Sequence, residues 1–182
     1  MHGGSWVALV TPFNTSGQID WQSLERLIEW HVASGTNGLV IAGTTGECAT
    51  LSTKEHMTLV SRCIEIVNGR LLVVAGTGSN CTQEALEHAK EAKLAGAAAC
   101  LTVVPYYNKP TQEGLYRHFM AQADAVDIPQ ILYNVPGRTI TDLGNETLLR
   151  LSQHENIIGL KDATGDLNRV YQLRQDLEGK PF

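Results

Sequence analysis

Residues 157 to 165 read I-I-G-L-K-D-A-T-G. Four residues suited to a buried strand run directly into Lys161, and the strand pattern stops there. In a protein built from βα repeats the carboxyl ends of the strands collect the chemistry, so a lysine at that point is a candidate amine nucleophile. It also reads as a strand-end lysine reaching into solvent, the ordinary place for that side chain. The rest of the chain decides between the two.

Upstream, the same pattern recurs about every 30 residues. Beginning at Ser5, the run W-V-A-L-V-T is apolar without alternation and is ended by Pro12, which predicts a strand buried on both faces. After a turn at Asn14 to Gly17, Leu24, Leu27, Ile28, His31 and Val32 recur at helical spacing, with Asp20 as N-cap and Gly35 as stop. The second strand, Leu39 to Ala42, runs into Gly43-Thr44-Thr45-Gly46-Glu47. Its helix opens on a capping box, Ser52-Thr53-Lys54-Glu55, and buries Met57, Val60, Ile64 and Val67. The third, Leu71 to Ala75, leads through Gly76-Thr77-Gly78-Ser79-Asn80 to a helix with Ala85, Ala89 and Ala92 on one side. The fourth, Ala99 to Val104, precedes the loop Pro105 to Pro110 and a helix carrying Leu115, Phe119 and Ala123. The fifth, Gln130 to Asn134, precedes Val135-Pro136-Gly137-Arg138-Thr139 and a helix from about Asn145. The sixth is Ile157 to Lys161, and a last helix runs from about Leu167 to Leu177.

Strands buried on both faces and followed by amphipathic helices predict a parallel α/β sheet. A doubly wound sheet calls for a Gly-rich phosphate turn after the first strand, and Thr11-Pro12-Phe13-Asn14 is not one. A TIM (β/α)8 barrel has a uniform repeat and functional loops after its strands, but needs eight units in about 250 residues, and six are visible in 182. The expectation is a single barrel domain over residues 1–182, truncated to about six βα units and incomplete at the carboxyl end. Another strand is due at Gly179-Lys180-Pro181-Phe182. A chain of this kind leaves its first and sixth strands as unpaired edges, which predicts poor solubility and little turnover.

Composition narrows the functional classes. With 43% hydrophobic and 18% charged residues the chain is ordinary globular material. A net charge of -5 and the absence of any Lys/Arg run argue against nucleic acid as a partner. The four cysteines, Cys48, Cys63, Cys81 and Cys100, and the six histidines are scattered, so no metal site is readable and reduced thiols are expected. The start M-H-G-G-S-W lacks a basic n-region, and no apolar run approaches the roughly 20 residues of a membrane helix. A cytoplasmic location without membrane attachment is expected.

The distinctive residues all follow strands. Thr44 and Thr45 lie between two glycines at an expected helix N-terminus, where N–H groups and hydroxyls bind carboxylates; the same G-T-T-G sequence also serves as a plain turn. Tyr106 and Tyr107 occupy a Pro-bounded loop and also read as interface aromatics, while Tyr133 in its aliphatic strand also reads as a core residue. Arg138 after Pro136-Gly137 is either a solvated arginine or a carboxylate clamp. Together they assemble an amine, phenols and hydroxyls able to pass protons, a carboxylate-sized anion site and a guanidinium. An amine must be unprotonated to attack a keto carbon, which desolvation favours, so Lys161 is expected to be desolvated. The resulting iminium makes the adjacent methyl acidic. The implied chemistry is a class I, Schiff-base reaction on a 2-keto acid.

Four stretches in one register, G-T-T-G-E (43–47), V-P-Y-Y-N-K-P (104–110), Y-N-V-P-G-R-T (133–139) and G-L-K-D-A-T-G (159–165), resemble the motif series of the dihydrodipicolinate synthase family, among the class I pyruvate aldolases. The resemblance runs along the whole chain. It implies a homotetrameric (dimer of dimers) barrel enzyme condensing pyruvate with L-aspartate 4-semialdehyde, at the opening of the diaminopimelate branch of lysine biosynthesis. Lys161 matches the Schiff-base lysine, and the covalent pyruvate imine on it takes the place of a cofactor. Tyr133 matches the proton donor and acceptor. Thr44 and Tyr107 match the rest of the proton relay, with Tyr107 contributed across a dimer interface. Thr45 matches the site of the pyruvate carboxylate and Arg138 that of the semialdehyde carboxylate. Ala49, His56, Asn80, Glu84 and Tyr106 match positions that bind the feedback inhibitor lysine in many members, and Thr53 stands where lysine-sensitive members often carry His.

Two rivals remain. An N-acetylneuraminate lyase or keto-deoxy-sugar-acid aldolase shares Lys161 and Tyr133, but a sugar chain requires polar donors where Arg138 offers an anion clamp. A non-catalytic barrel binding protein predicts loss of a core position, whereas Lys161, Tyr133, Thr44 and Arg138 are all present.

Overall fold

A computed structural model describes residues 4–179 and 182. His2, Lys180 and Pro181, and with the last two most of the strand expected at the carboxyl end, lie outside the described residues. Two compact units are present, Met1–Gly76 with Glu91–Ala99, and Thr77–Lys90 with Cys100–Phe182.

In the first unit the apolar runs form parallel strands β1 (Trp6–Ala8), β2 (Gly38–Ile41) and β3 (Leu72–Gly76), with Val7 opposite Leu39 and Val40 opposite Val74. Between them lie α1 (Trp21–Ala33) and α2 (Thr53–Val67). Local chemistry sets the helix starts. Asp20 Oδ1 accepts from the Ser23 N–H at 3.0 Å. Ser52 and Glu55 form the reciprocal capping box, a device worth about 1 kcal/mol. Gly35 takes φ +72° just past α1, a conformation glycine adopts without steric cost. Leu24 and Ile28 of α1, and Met57, Leu59, Val60, Cys63 and Val67 of α2, are buried. β1 is shorter than its apolar run. Leu9 still donates to Val40 O at 3.0 Å, but Val10 is exposed.

The second unit holds β4 (Ala99–Val103, Ala99 being shared with the first), β5 (Gln130–Asn134) and β6 (Ile157–Asp162), also parallel. α3 (Thr82–Ala95) begins in it, and α4 (Gln112–Ala125), α5 (Pro136–Thr139), α6 (Asn145–Leu151) and α7 (Leu167–Asp176) follow. Leu115, Phe119, Leu132, Leu143, Leu148, Leu151 and Ile157 make its core. Phe119 is fully buried, which contributes about 2–3 kcal/mol of transfer free energy. The segment after β5, expected as a loop, contains the one-turn helix α5 with Pro136 at its start, where the missing N–H costs nothing.

The strand order separates the two architectures. A doubly wound sheet reverses direction and brings its fourth strand beside the first. Here Ala98 N–H, at the start of β4, donates to Val73 O of β3 at 2.8 Å within the first unit. Within the second, Thr77 N–H, just past β3, donates to Leu101 O of β4 at 3.0 Å. The order follows the chain without reversal, as in a TIM barrel, over six βα units. Among the described residues β6 pairs with β5 and with no other strand.

Candidate active site

In the second unit the geometry centres on one register shift. From Gln130 opposite Ile157 the pairing jumps to Ile131 opposite Gly159, so Ile158 is an extra residue in β6. Were the pairing to run on unshifted from Gln130, Tyr133 would face Leu160; with the shift Tyr133 pairs with Lys161, and Asn134 pairs with Asp162. Lys161 Nζ lies 4.2 Å from the centroid of the Tyr133 ring, within cation–π range. Tyr133 is buried. Lys161 is exposed, contrary to the desolvated amine expected, and among the described residues no strand pairs with the other edge of β6.

Behind this pair the opposite strand face carries polar groups, since successive strand residues alternate in direction. Asn134 is fully buried. Its amide donates to Asp142 Oδ1 at 2.8 Å and accepts from the Leu143 N–H at 3.1 Å. Arg169 of α7 donates to both Asp142 oxygens at 2.9 Å and, through Nη2, to Leu143 O. Burial raises the Asp142 pKa, but the hydrogen bonds from Asn134 and Arg169 and the Arg169 charge outweigh it, so this carboxyl sits below its ordinary value. Sequence reading missed Asp142, Asp162 and Arg169. The available signal was a polar residue, Asn134, at a strand position buried on both faces.

The neighbouring loops of this unit are held by their own bonds. Gly78 packs so closely that a Cβ there would lie 2.3 Å from Val103 N, which fixes the path of 77–81. Asn80 Nδ2 donates to Asn108 Oδ1 at 2.8 Å, and Asn108 Nδ2 donates back to Asn80 O at 3.0 Å. Glu84 accepts a short hydrogen bond from Ser79 Oγ. Tyr106 is partly exposed, and Tyr107 is 88% exposed with φ +70°, a conformation costly for an aromatic residue. Arg138 lies on α5, exposed, with its side chain free of partners among the described residues.

In the first unit Thr44 and Thr45 are exposed in a turn closed by Glu47 N–H to Thr44 O at 3.1 Å. The helix N-terminus expected there is displaced. Glu47 at φ +58° leads into a single 3-10 turn, Cys48–Thr50, carrying exposed Ala49, and α2 starts only after Ser52. His56 is buried in α2 and its Nε2 donates to Gly76 O at 2.7 Å, tying α2 to the end of β3. Among the described residues no group of His, Cys, Asp and Glu is arranged to hold a metal ion.

Fold and pair together define a class: a parallel βα-repeat chain of the TIM-barrel type with a lysine and a tyrosine paired across adjacent strand ends. The chain belongs to the dihydrodipicolinate synthetase family, whose family model matches residues 1–180. It is 59% identical over 169 residues to the 4-hydroxy-tetrahydrodipicolinate synthase of Stutzerimonas stutzeri, covering 93% of this chain and 58% of that one. With the synthase of Pseudomonas aeruginosa it shares 55% identity over 182 residues, 100% of this chain and 62% of that one. The crystal structure of the chloride-inhibited dihydrodipicolinate synthase of Acinetobacter baumannii complexed with pyruvate superposes with a TM-score of 0.95 at 55% identity, covering 97% of this chain and 61% of that one. The lysine-bound enzyme of Cyanidioschyzon merolae gives 0.92 at 41% identity, over 95% and 59%. The chain thus spans about three fifths of the length of the relatives it matches.

Proposed function

We propose that this chain carries the imine-forming centre of a lyase that condenses pyruvate with L-aspartate 4-semialdehyde to 4-hydroxy-tetrahydrodipicolinate, in lysine biosynthesis through diaminopimelate. The observation that carries the reading is the register pair of Lys161 and Tyr133. The names of the relatives, and the pyruvate complex of the Acinetobacter baumannii enzyme, support it.

Lys161 Nζ attacks the keto carbon of pyruvate, and the carbonyl oxygen departs as water once it has taken up protons, leaving an iminium. The iminium draws electrons from the methyl carbon, a methyl proton is lost, and the enamine carbon attacks the aldehyde of the second substrate, whose amino group then adds to the re-formed iminium carbon and displaces Lys161 as the ring closes. Tyr133 moves the protons, with Thr44 and Tyr107 completing the relay and Tyr107 reaching the site across a dimer interface. Thr45 holds the pyruvate carboxylate and Arg138 that of the semialdehyde. No cofactor takes part beyond the covalent imine. The lysine bound to the Cyanidioschyzon merolae enzyme supports a lysine effector, and we read Ala49, His56, Asn80, Glu84 and Tyr106 as the residues that bind it. The assembly is a homotetramer, a dimer of dimers, in the cytoplasm. Among the described residues no helix is long and apolar enough to cross a membrane.

Incubation with pyruvate and borohydride, followed by mass measurement, tests the reading. A reduced pyruvyl adduct on Lys161 is expected. No adduct, or one that persists undiminished in Lys161→Ala, overturns it.

A further inference from the structure

Asp162 and Asn134 are the residues directly after Lys161 and Tyr133, and they pair across the same two strand ends on the opposite face. Four elements converge on them. Asp162 Oδ1 accepts from the Thr164 N–H at 2.8 Å and from Thr164 Oγ1 at 2.5 Å, closing the turn after β6. Asp162 Oδ2 is buried without a hydrogen-bond donor among the described residues, and Arg169 Nε, buried and likewise without an acceptor, stands 3.6 Å away. The same guanidinium grips Asp142 with two bonds and Leu143 O with a third, and Asp142 and Leu143 are bonded to the Asn134 amide. Ala163 N–H donates to Asn134 O at 2.8 Å, locking the two strand ends directly. One planar guanidinium therefore joins the ends of β5 and β6, the return of the Arg138 segment and α7. A lysine ammonium has no fork to do this.

Resting on the function proposed above, we propose that Arg169, Asp142, Asp162 and Asn134 are positioning residues that hold the Lys161 amine against Tyr133. They touch neither substrate nor reacting atoms. They act by fixing the strand ends from which both side chains project. A displacement of about 1 Å at a reacting group costs up to a hundredfold in rate, whereas a carboxylate bound by Thr45 does not depend on these strand ends. Loss of the clamp is thus expected to lower the maximal rate of imine formation and to leave half-saturation by pyruvate nearly unchanged.

The experiment follows the pyruvyl–lysine adduct by mass after borohydride quenching, over a series of pyruvate concentrations. Arg169→Ala is expected to slow the maximal rate at least about tenfold with less than about twofold change in half-saturation. Millimolar guanidinium is expected to restore much of the rate, and Arg169→Lys little of it. Asp162→Asn keeps the size and the Oδ1 acceptor, so it tests the charge even where Arg169→Ala folds poorly, and it is expected to slow trapping in the same way. Arg150→Ala, whose guanidinium stacks on Tyr116 and bridges Glu113, is expected to behave as the parent. Parent-like trapping by folded Asp162→Asn and Arg169→Ala overturns the inference, as does slow trapping in Arg169→Ala that guanidinium leaves unchanged. A parent that forms no adduct at Lys161 overturns the underlying function and this inference with it.

Discussion

Lys161 and Tyr133 face each other as register partners on parallel strands, with the ammonium 4.2 Å from the ring centroid. Tyr133→Phe keeps the ring and its cation contact and removes only the hydroxyl. Stability by urea denaturation is expected to change by less than about 1 kcal/mol. Adduct formation is expected to slow by about 10²–10⁴-fold, the range for losing a positioned proton-transfer group.

The extra residue in β6 stands outside the ladder. Deleting Ile158 leaves Ile157 opposite Gln130 and Gly159 opposite Ile131, so the pairing becomes regular and Lys161 still faces Tyr133. Far-ultraviolet circular dichroism is expected to stay near that of the parent and the Lys161 adduct to form. Loss of the adduct in a folded deletion variant would show that the local bend of the bulge, beyond the pairing itself, aims the amine.

His118 lies in α4, buried, with Nδ1 2.8 Å from Thr82 Oγ1. Burial pushes its pKa from 6.5 down to about 4. Between those values the unfolded chain binds the proton and the folded one does not, so stability rises with pH across this window. Acidification from pH 6.5 towards 4 is expected to remove up to about 3 kcal/mol. Denaturation midpoints across this range check it, and His118→Gln is expected to flatten the dependence.

Gly78→Ala places a Cβ 2.3 Å from Val103 N, a backbone atom of a central strand that has little room to give. A loss of about 1–3 kcal/mol is expected. The Asn80–Asn108 amide pair on the same segment is expected to open, visible as faster amide exchange of Asn80 and Asn108 side chains by nuclear magnetic resonance.

The thiols divide by environment. Burial pushes Cys63 up to about 12 and Cys100 up to about 11, while Cys81 is exposed. Native labelling with a disulfide reagent is expected to modify Cys81 within the first phase and to reach Cys63 and Cys100 only on denaturation, as peptide mass mapping would read.

What was legible in the sequence was what is decided locally or by burial. The caps at Asp20 and Ser52, the β5 boundaries and the alanine face of α3 depend on a few neighbouring residues or on one repeating pattern. Strand register is different. Ile158 looks like any other apolar strand residue, and only pairing with β5 reveals it as the extra one. α5 escaped because four residues beginning Pro-Gly read as a turn, and the Thr44-Thr45 segment misled because a 3-10 turn separates it from its helix. The exposure of Lys161 was not readable either, since it depends on which elements flank β6. Asp142 and Arg169, 27 residues apart, had no shared motif to betray their contact.

The Asn134 side chain closes the base of the excursion that leaves β5 and returns at Asp142–Leu143. A segment tied off in this way behaves as an exchangeable cassette. Residues 136–140, with Arg138 among them, can be rewritten while the strand beneath keeps its register, so under the function proposed above substrate scope and imine chemistry are free to evolve separately.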